Sequence, residues 1–234
     1  MAAASRQASR LGGVSDSTET AELRDAEPVE PEGPGDERAH ALAEEALRRR
    51  EAALEHVRKF GDPVLKSRAS EIRSFGPELE REAERMVGLM HDAIGIGLAA
   101  TQLGVMHRLL VFQAGPDATP TAVANPTVDW LSEEVVVAEE GCLSLPRVSV
   151  DVERPLFARI SGVDVTGAPL AIEASGLEAR VLQHEIDHLD GVLMLDRAPR
   201  DQRKAALRAL REGGSYSPSA EESADEDAAA ATAR

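Results

Sequence analysis

Residues 177–189 read LEARVLQHEIDHL, and both the fold and the chemistry turn on how this stretch is placed. Leu177, Val181, His184 and His188 recur at helical spacing, so they share one face, with the two imidazoles one turn apart where both can reach a single cation. Glu185, directly after the first histidine, is set to approach a water at that cation instead of the cation itself. Leu177 and Val181 make the histidines emerge from an apolar strip that lines a pocket. For a single histidine, an ordinary partly buried side chain is the better reading. For the whole HExxH pentapeptide on an amphipathic helix, a metal site is.

A catalytic metal site needs a third protein ligand and one position left open. The single cysteine, Cys142, sits in Glu139-Glu140-Gly141-Cys142-Leu143-Ser144, after the strand-like run Val135 to Ala138 and before a second strand-like run. Gly141 permits close backbone approach at that strand end. A free cysteine is otherwise a small buried hydrophobe, and both readings stand, with the ligand role favoured. Mixed sulfur and nitrogen ligation suits zinc or iron.

The rest of the composition bounds the class. A chain of 234 residues, 42% hydrophobic, can build one globular core. Its net charge of -16 is uneven: residues 15–45 hold eleven acids and two bases, residues 212–234 six acids and one base, and residues 46–211 are nearly balanced with 21 bases and 25 acids. The acidity therefore belongs to the flanks. One cysteine excludes an internal disulfide framework and points to a reducing compartment. No apolar run approaches the roughly 18–20 residues that span a bilayer, and the N-terminus has no apolar signal region. A soluble, cytoplasmic protein without a membrane or DNA partner is expected. The opening MAAASRQASRLGG is acid-free in the manner of a transit peptide, but the chain turns acidic from Asp16.

Along the chain, residues 1–37 are rich in Gly, Pro, Ser and acids and are expected to be a disordered acidic extension. Residues 38–57, RAHALAEEALRRREAALEHV, read as a helical extension, and Gly61-Asp62-Pro63 breaks the chain. Pro77 opens a helix whose Leu79, Ala83, Met86, Val87 and Met90 form one buried face, ending near Asp92 or Ala93. Strand-like runs follow at Leu109 to Phe112, Thr121 to Val128, Val135 to Ala138, Val148 to Val152, Leu156 to Val163 and Pro169 to Ile172. Pro199 to Leu210 is a last helix, and residues 212–234 read as a disordered acidic tail. Strands between helices without regular βαβ alternation give an α+β fold: a single domain over 58–211 with antiparallel sheets around the central HExxH-bearing helix.

Three motifs in order make the chain resemble the bacterial, metal-dependent peptide deformylases: Gly95-Ile96-Gly97-Leu98-Ala99-Ala100-Thr101-Gln102, then Glu140-Gly141-Cys142-Leu143-Ser144, then Gln183-His184-Glu185-Ile186-Asp187-His188. The resemblance covers about Phe60 to Leu210 and neither flank. It implies a hydrolase of protein biosynthesis that performs N-terminal processing during translation, removing the formyl group from the N-terminal formylmethionine of new polypeptides and releasing formate. It implies Cys142, His184 and His188 as ligands of one divalent ion, ferrous iron foremost, with Zn(2+) or Ni(2+) as replacements, and Glu185 as acid and base. Gln102 and the backbone N–H of Leu143 are carried over as oxyanion donors, and Ile96, Gly97, Gly141, Leu177 and Val181 as the substrate-binding surface. Asp187 and Arg154 are motif-matched polar residues that either support the histidines or form a surface pair. A monomer is expected.

The alternatives fail on particular residues. Gly95-Ile96-Gly97-Leu98-Ala99-Ala100 fits a dinucleotide fingerprint formally, but a helix precedes it where a strand is needed. A zincin-type metallopeptidase lacks its third ligand, since Met194 holds the third histidine position and Glu212 lies at the edge of the acidic tail. A non-catalytic metal-binding protein would close the fourth position with another Cys or His, and His40, His56, His91 and His107 lie in no motif. Arg197, Arg200, Arg203, Lys204, Arg208 and Arg211 gather on and before the last helix, either as a solvated face or as a ribosome contact.

Overall fold

Helix α1 (Pro34–Glu55) opens the structure, a computed structural model that describes residues 34–220. The expectation of disorder therefore lies outside the described residues, except at 34–37 and 212–220. The chain divides into two units, Met1–Ala39 and His40–Arg234; of the first, the opening of α1 is described. From His40 on, α1 is held by its own composition, with Glu44 to Arg48 and Glu45 to Arg49 pairs one turn apart. Ala53 near its end and Val57 just after it are buried.

After the break at Gly61, Asp62 caps a 3-10 turn (Pro63–Lys66) by accepting from the Val64 N–H at 3.0 Å. Helix α2 (Pro77–Asp92) starts at its proline and buries Leu79, Ala83, Met86 and Met90, the face its spacing predicts. Then come β1 (Gly97–Ala99), a 3-10 turn (Ala100–Leu103), β2 (Leu109–Phe112), β3 (Thr121–Leu131), β4 (Val135–Cys142), β5 (Leu145–Pro155), β6 (Phe157–Val163) and β7 (Pro169–Ser175). Helices α3 (Gly176–Leu189), α4 (Met194–Arg197) and α5 (Arg200–Glu212) complete the order.

All strand pairs are antiparallel, in a five-stranded sheet ordered β1-β2-β3-β6-β7 and a two-stranded sheet of β4 and β5. The fold is thus mixed α and β with antiparallel sheets. Strand β2 is buried along its whole length. Its alternation sends Leu109 and Val111 into the cluster with α2, and Leu110 and Phe112 into the cluster with Leu182, Ile186 and Leu189 of α3. A third cluster joins Val148, Val150 and Val152 of β5 to Met194, Leu195 and Ala206. Among the described residues no helix is long and apolar enough to cross a membrane.

Gly97–Ala99, to which the sequence assigns no element, is an edge strand paired with β2 through Leu98 and Val111; three residues are too few for periodicity to reveal. One expectation needs correction. The residues expected to begin a disordered tail are folded as far as 220. Glu212 ends α5, Tyr216 N–H donates to Arg147 O, Ser149 N–H donates to Tyr216 O, and the Tyr216 ring is buried among the β5 valines. Tyr216 and Pro218 supply the burial that the surrounding Gly and Ser residues lack.

Gly191, just past α3, has φ +74°, and a Cβ there would lie 2.8 Å from the Lys66 carbonyl. Gly191→Ala should therefore cost about 2 kcal/mol or more, from left-handed backbone and a backbone clash together. Urea denaturation should show a lower midpoint with an unchanged slope.

Candidate metal centre and active-site cleft

Strand alternation near the end of β4 puts Glu140 and Cys142 on one side, with Gly141 turned out. A register shift after Gly141 pairs Cys142 with Leu145. Helix α3 presents His184 and His188 one turn apart, their ring centroids 4.9 Å apart at 75°. Cys142 Sγ and one ring nitrogen from each histidine all lie within 4.8 Å of one another, and Sγ is 3.2 Å from His188 Nε2. Two ligands on one tetrahedral ion with ordinary bond lengths stand roughly 3.5 Å apart, so the donor set fits a single ion.

The ring of His184 is oriented from behind. Its Nδ1 is 2.9 Å from Glu140 Oε2, which leaves Nε2 for the site. Glu140 accepts from Arg154 Nε at 2.6 Å and Nη2 at 2.9 Å, and from Arg180 Nη1 at 2.7 Å. Arg154 Nη1 donates to Asp187 Oδ2 at 2.9 Å, and Arg197 also donates to Asp187. Burial alone would raise the Glu140 carboxyl, but the Arg154 and His184 contacts outweigh it and hold the group well below the usual carboxylate range. Burial likewise pushes the Cys142 thiol up, and the charges and hydrogen bonds of His188 and His184 overcome it, favouring thiolate.

Glu185 is 4% exposed yet lines the cleft, and burial pushes its carboxyl up. Its Oε2 has no hydrogen-bond partner, as expected of a carboxylate aimed at a reacting group. Gly97 packs directly on this carboxylate: any Cβ at position 97 would displace Glu185 Oε1. Gln102 is 2% exposed in the 3-10 turn after β1, its Oε1 accepting from Ala99 N–H at 2.8 Å. Its Nε2 points at Ser144 Oγ, 3.3 Å, and Cys142 Sγ, 3.6 Å. Thr101 Oγ1 donates to the His188 carbonyl at 3.1 Å, tying the same turn to α3.

These groups open onto a cleft of about 810 Å³. Ile96, Gly97, Gly141, Leu143, Leu177 and Val181 all line it beside Gln102, Cys142, His184 and Glu185. The structure therefore brings the sequence-derived site residues to one place; His188 stands behind the lining, 1% exposed. Met194 and Glu212, the residues weighed for a peptidase, are elsewhere: Met194 is in the β5 cluster and Glu212 pairs with Arg208. Sequence reading missed Glu140 as the partner of His184, although alternation across Glu140-Gly141-Cys142 would have placed its carboxylate beside the thiol. It also missed Arg180, whose helical position one turn before His184 was the available signal. Ile94, Arg50 and Leu54, further lining residues, carried no motif.

Arg154→Met would leave Glu140 and Asp187 buried without their shared cation, a loss of about 3–5 kcal/mol near neutral pH. The sign follows from Glu140 being held below its usual value of 4.5. Its contribution is full above that value and is lost as the pH falls toward the folded-state value. The stability gap between wild type and Arg154→Met, measured by denaturation across pH, should narrow below about 4.5.

Comparison with known proteins agrees with this geometry. The sequence model of the family described as Polypeptide deformylase matches residues 54–204. Peptide deformylase 1 of Corynebacterium glutamicum is 45% identical over 161 residues, covering 68% of this chain and 95% of the relative. The crystal structure of a peptide deformylase from Synechococcus elongatus in complex with actinonin superposes with a TM-score of 0.64 at 37% identity, over 68% of this chain and 88% of the other. That from Thermotoga maritima gives a TM-score of 0.59 at 42% identity, over 61% and 96%. The matched span leaves out all of α1 before residue 54 and everything past 204, and includes every residue of the thiol–imidazole cluster and its supports. With fold, site and sequence in agreement over that span, the chain belongs to the polypeptide deformylase family.

Proposed function

We infer that this chain is a deformylase whose reaction is run from the Cys142, His184 and His188 cluster. It removes the N-formyl group from new polypeptides. The observation that carries the reading is a thiol and two imidazoles within 4.8 Å, beside a buried glutamate with one unpartnered oxygen. In this reading residues 58–211 are the catalytic domain, built around α3 and preceded by the helical extension 38–57. The protein acts as a monomer in the cytoplasm.

Cys142, His184 and His188 would hold one divalent ion, which would supply Lewis-acid chemistry toward the formyl carbonyl and toward a water near neutral pH. Ferrous iron is the ion we assign, with zinc or nickel as replacements. Glu185 takes the proton of the attacking water and delivers it to the departing amine as the carbon–nitrogen bond breaks, so formate and a free methionine amino group leave together. Burial suits it to both steps, because a carboxyl with a raised pKa holds the proton between them. Negative charge developing on the formyl oxygen is met by Gln102 Nε2 and the Leu143 N–H, which are fixed before substrate arrives. Leu177 and Val181 border an apolar pocket for the methionine side chain, while Ile96, Gly97 and Gly141 offer backbone to the peptide.

The basic stretch is narrower than its sequence implies, because Arg197 is held by buried Asp187, while Arg203 and Arg208 form more exposed pairs with Asp196 and Glu212. Arg200, Arg203, Lys204, Arg208 and Arg211 of α5 are the groups proposed to meet ribosomal phosphates. Charge reversal at Arg203, Lys204 and Arg208 should abolish co-sedimentation with ribosomes; survival of co-sedimentation rules the contact out.

Glu185→Gln should release no formate from a formylmethionyl peptide while binding one metal ion per chain, and normal turnover would remove Glu185 from the reaction. Gln102→Leu should lower kcat by about 10²–10³-fold, the cost of one oxyanion donor, with metal content intact. Metal analysis of anaerobically purified protein, with turnover measured after each ion is returned, should give the highest activity with iron.

A further inference from the structure

The cleft extends beyond the residues the reaction uses. Its outer wall includes Arg50 and Leu54 near the end of α1, and Arg147 from the start of β5. Arg50 and Leu54 are four residues apart and so lie on one helix face. They come from the extension and its junction with the family-matched span, and no step of the mechanism employs them.

The charged groups on this wall differ in how they are paired. On α1, Arg48 and Arg49 are committed to Glu44 and Glu45, whereas Arg50 has no ion pair among the described residues. Arg147 Nη2 donates to the Gly213 carbonyl at 2.6 Å and to no carboxylate. Lys59 stands near enough to Arg50 for their charges to repel, and its Nζ donates to the Leu143 carbonyl at 3.2 Å, next to the site. The lining holds three acids: Glu139, which accepts from the hydroxyls of Ser149 and Ser217, Glu140, which is held by Arg154, Arg180 and His184, and Glu185 beside the thiol and imidazoles. Arg50 and Arg147 are thus guanidinium groups on the cleft wall that no carboxylate pairs with among the described residues.

An apolar element accompanies it. Ile94, also in the lining, is 70% exposed and has φ 58°, a backbone conformation that β-branched residues rarely adopt. Strain of that kind persists where the surrounding structure holds it, and it clusters at ligand-binding positions. Leu54, half-buried, and Ile94 thus add apolar surface to the same mouth.

We propose that the α1 turn bearing Arg50 and Leu54 is a subsite for the residues following formylmethionine, and that Arg50 with Arg147 makes it favour acidic side chains there. The proposal rests on the deformylase reading, which fixes where the methionine lies. Leu54 and Ile94 contact the aliphatic part of the downstream segment, and the arginines meet its carboxylates at the solvent edge. Attraction at an exposed rim is modest and screened by salt.

The test compares formyl-Met-Ala-Glu-Glu-amide with formyl-Met-Ala-Gln-Gln-amide on the full-length, metal-loaded enzyme. The acidic peptide should have a kcat/KM about three- to fivefold higher at low ionic strength, as one or two exposed charge contacts allow, through KM more than kcat. Arg50→Glu should bring the ratio to one or below, and added salt should erase it. Arg49→Gln, on the same helix but paired with Glu45, should leave the ratio as in wild type. Equilibrium binding of both peptides to Glu185→Gln protein reads the same preference without turnover. Equal rates for the two peptides, or a ratio that Arg50→Glu does not move, overturns the subsite alone. Failure to deformylate either peptide overturns the activity and the subsite with it.

Discussion

Arg154 joins Glu140 on β4 to Asp187 on α3, and through Glu140 it reaches the imidazole of His184. The two halves of the donor set come from different elements, the thiol from a strand of the small sheet and the imidazoles from a helix. A guanidinium 2% exposed, with carboxylates on both sides, fixes the distance between them. Taking such charges out of water costs several kcal/mol per ion, so their value here lies in geometry more than in net stability. Both Glu140 oxygens are used, and Arg180 and Arg197 complete the remaining acceptors. A side chain held this way cannot rotate without leaving a buried charge unpaired.

The fold supplies the other coordinates. Strand β2 is covered on both faces, by α2 on one and α3 on the other, which sets the depth of α3 relative to β1. Gly97 on β1 then lies directly against Glu185, and the following turn delivers Gln102 toward Cys142. Three short segments of the chain, remote in sequence, meet because one buried strand and one buried arginine fix their separations.

Much of this was legible in the residues. The His184, Glu185 and His188 spacing specifies a helix and a cation, and Leu79, Ala83, Met86 and Met90 specify the face of α2. Antiparallel sheets between helices follow from the alternating runs. Residues whose meaning depends on a distant partner were not legible. Glu140 is one acid in an acidic pair until the fold sets it against His184. β1 is too short for a period, and Tyr216 docks a segment whose composition otherwise reads as tail. Arg147 carries no signal of its place either: its φ of 61° and its contacts with Gly213 and Tyr216 show that it turns the chain and holds the residues after α5.

Cys142 is the residue that separates formyl hydrolysis from peptide-bond hydrolysis by a histidine-pair metallopeptidase, so product identity tests the account most directly. Mass spectrometry of a formylmethionyl peptide incubated with the metal-loaded protein should show the peptide lacking only its formyl group, methionine retained, with formate in equal amount. Cleavage at an internal amide, or recovery of the peptide unchanged, would contradict it.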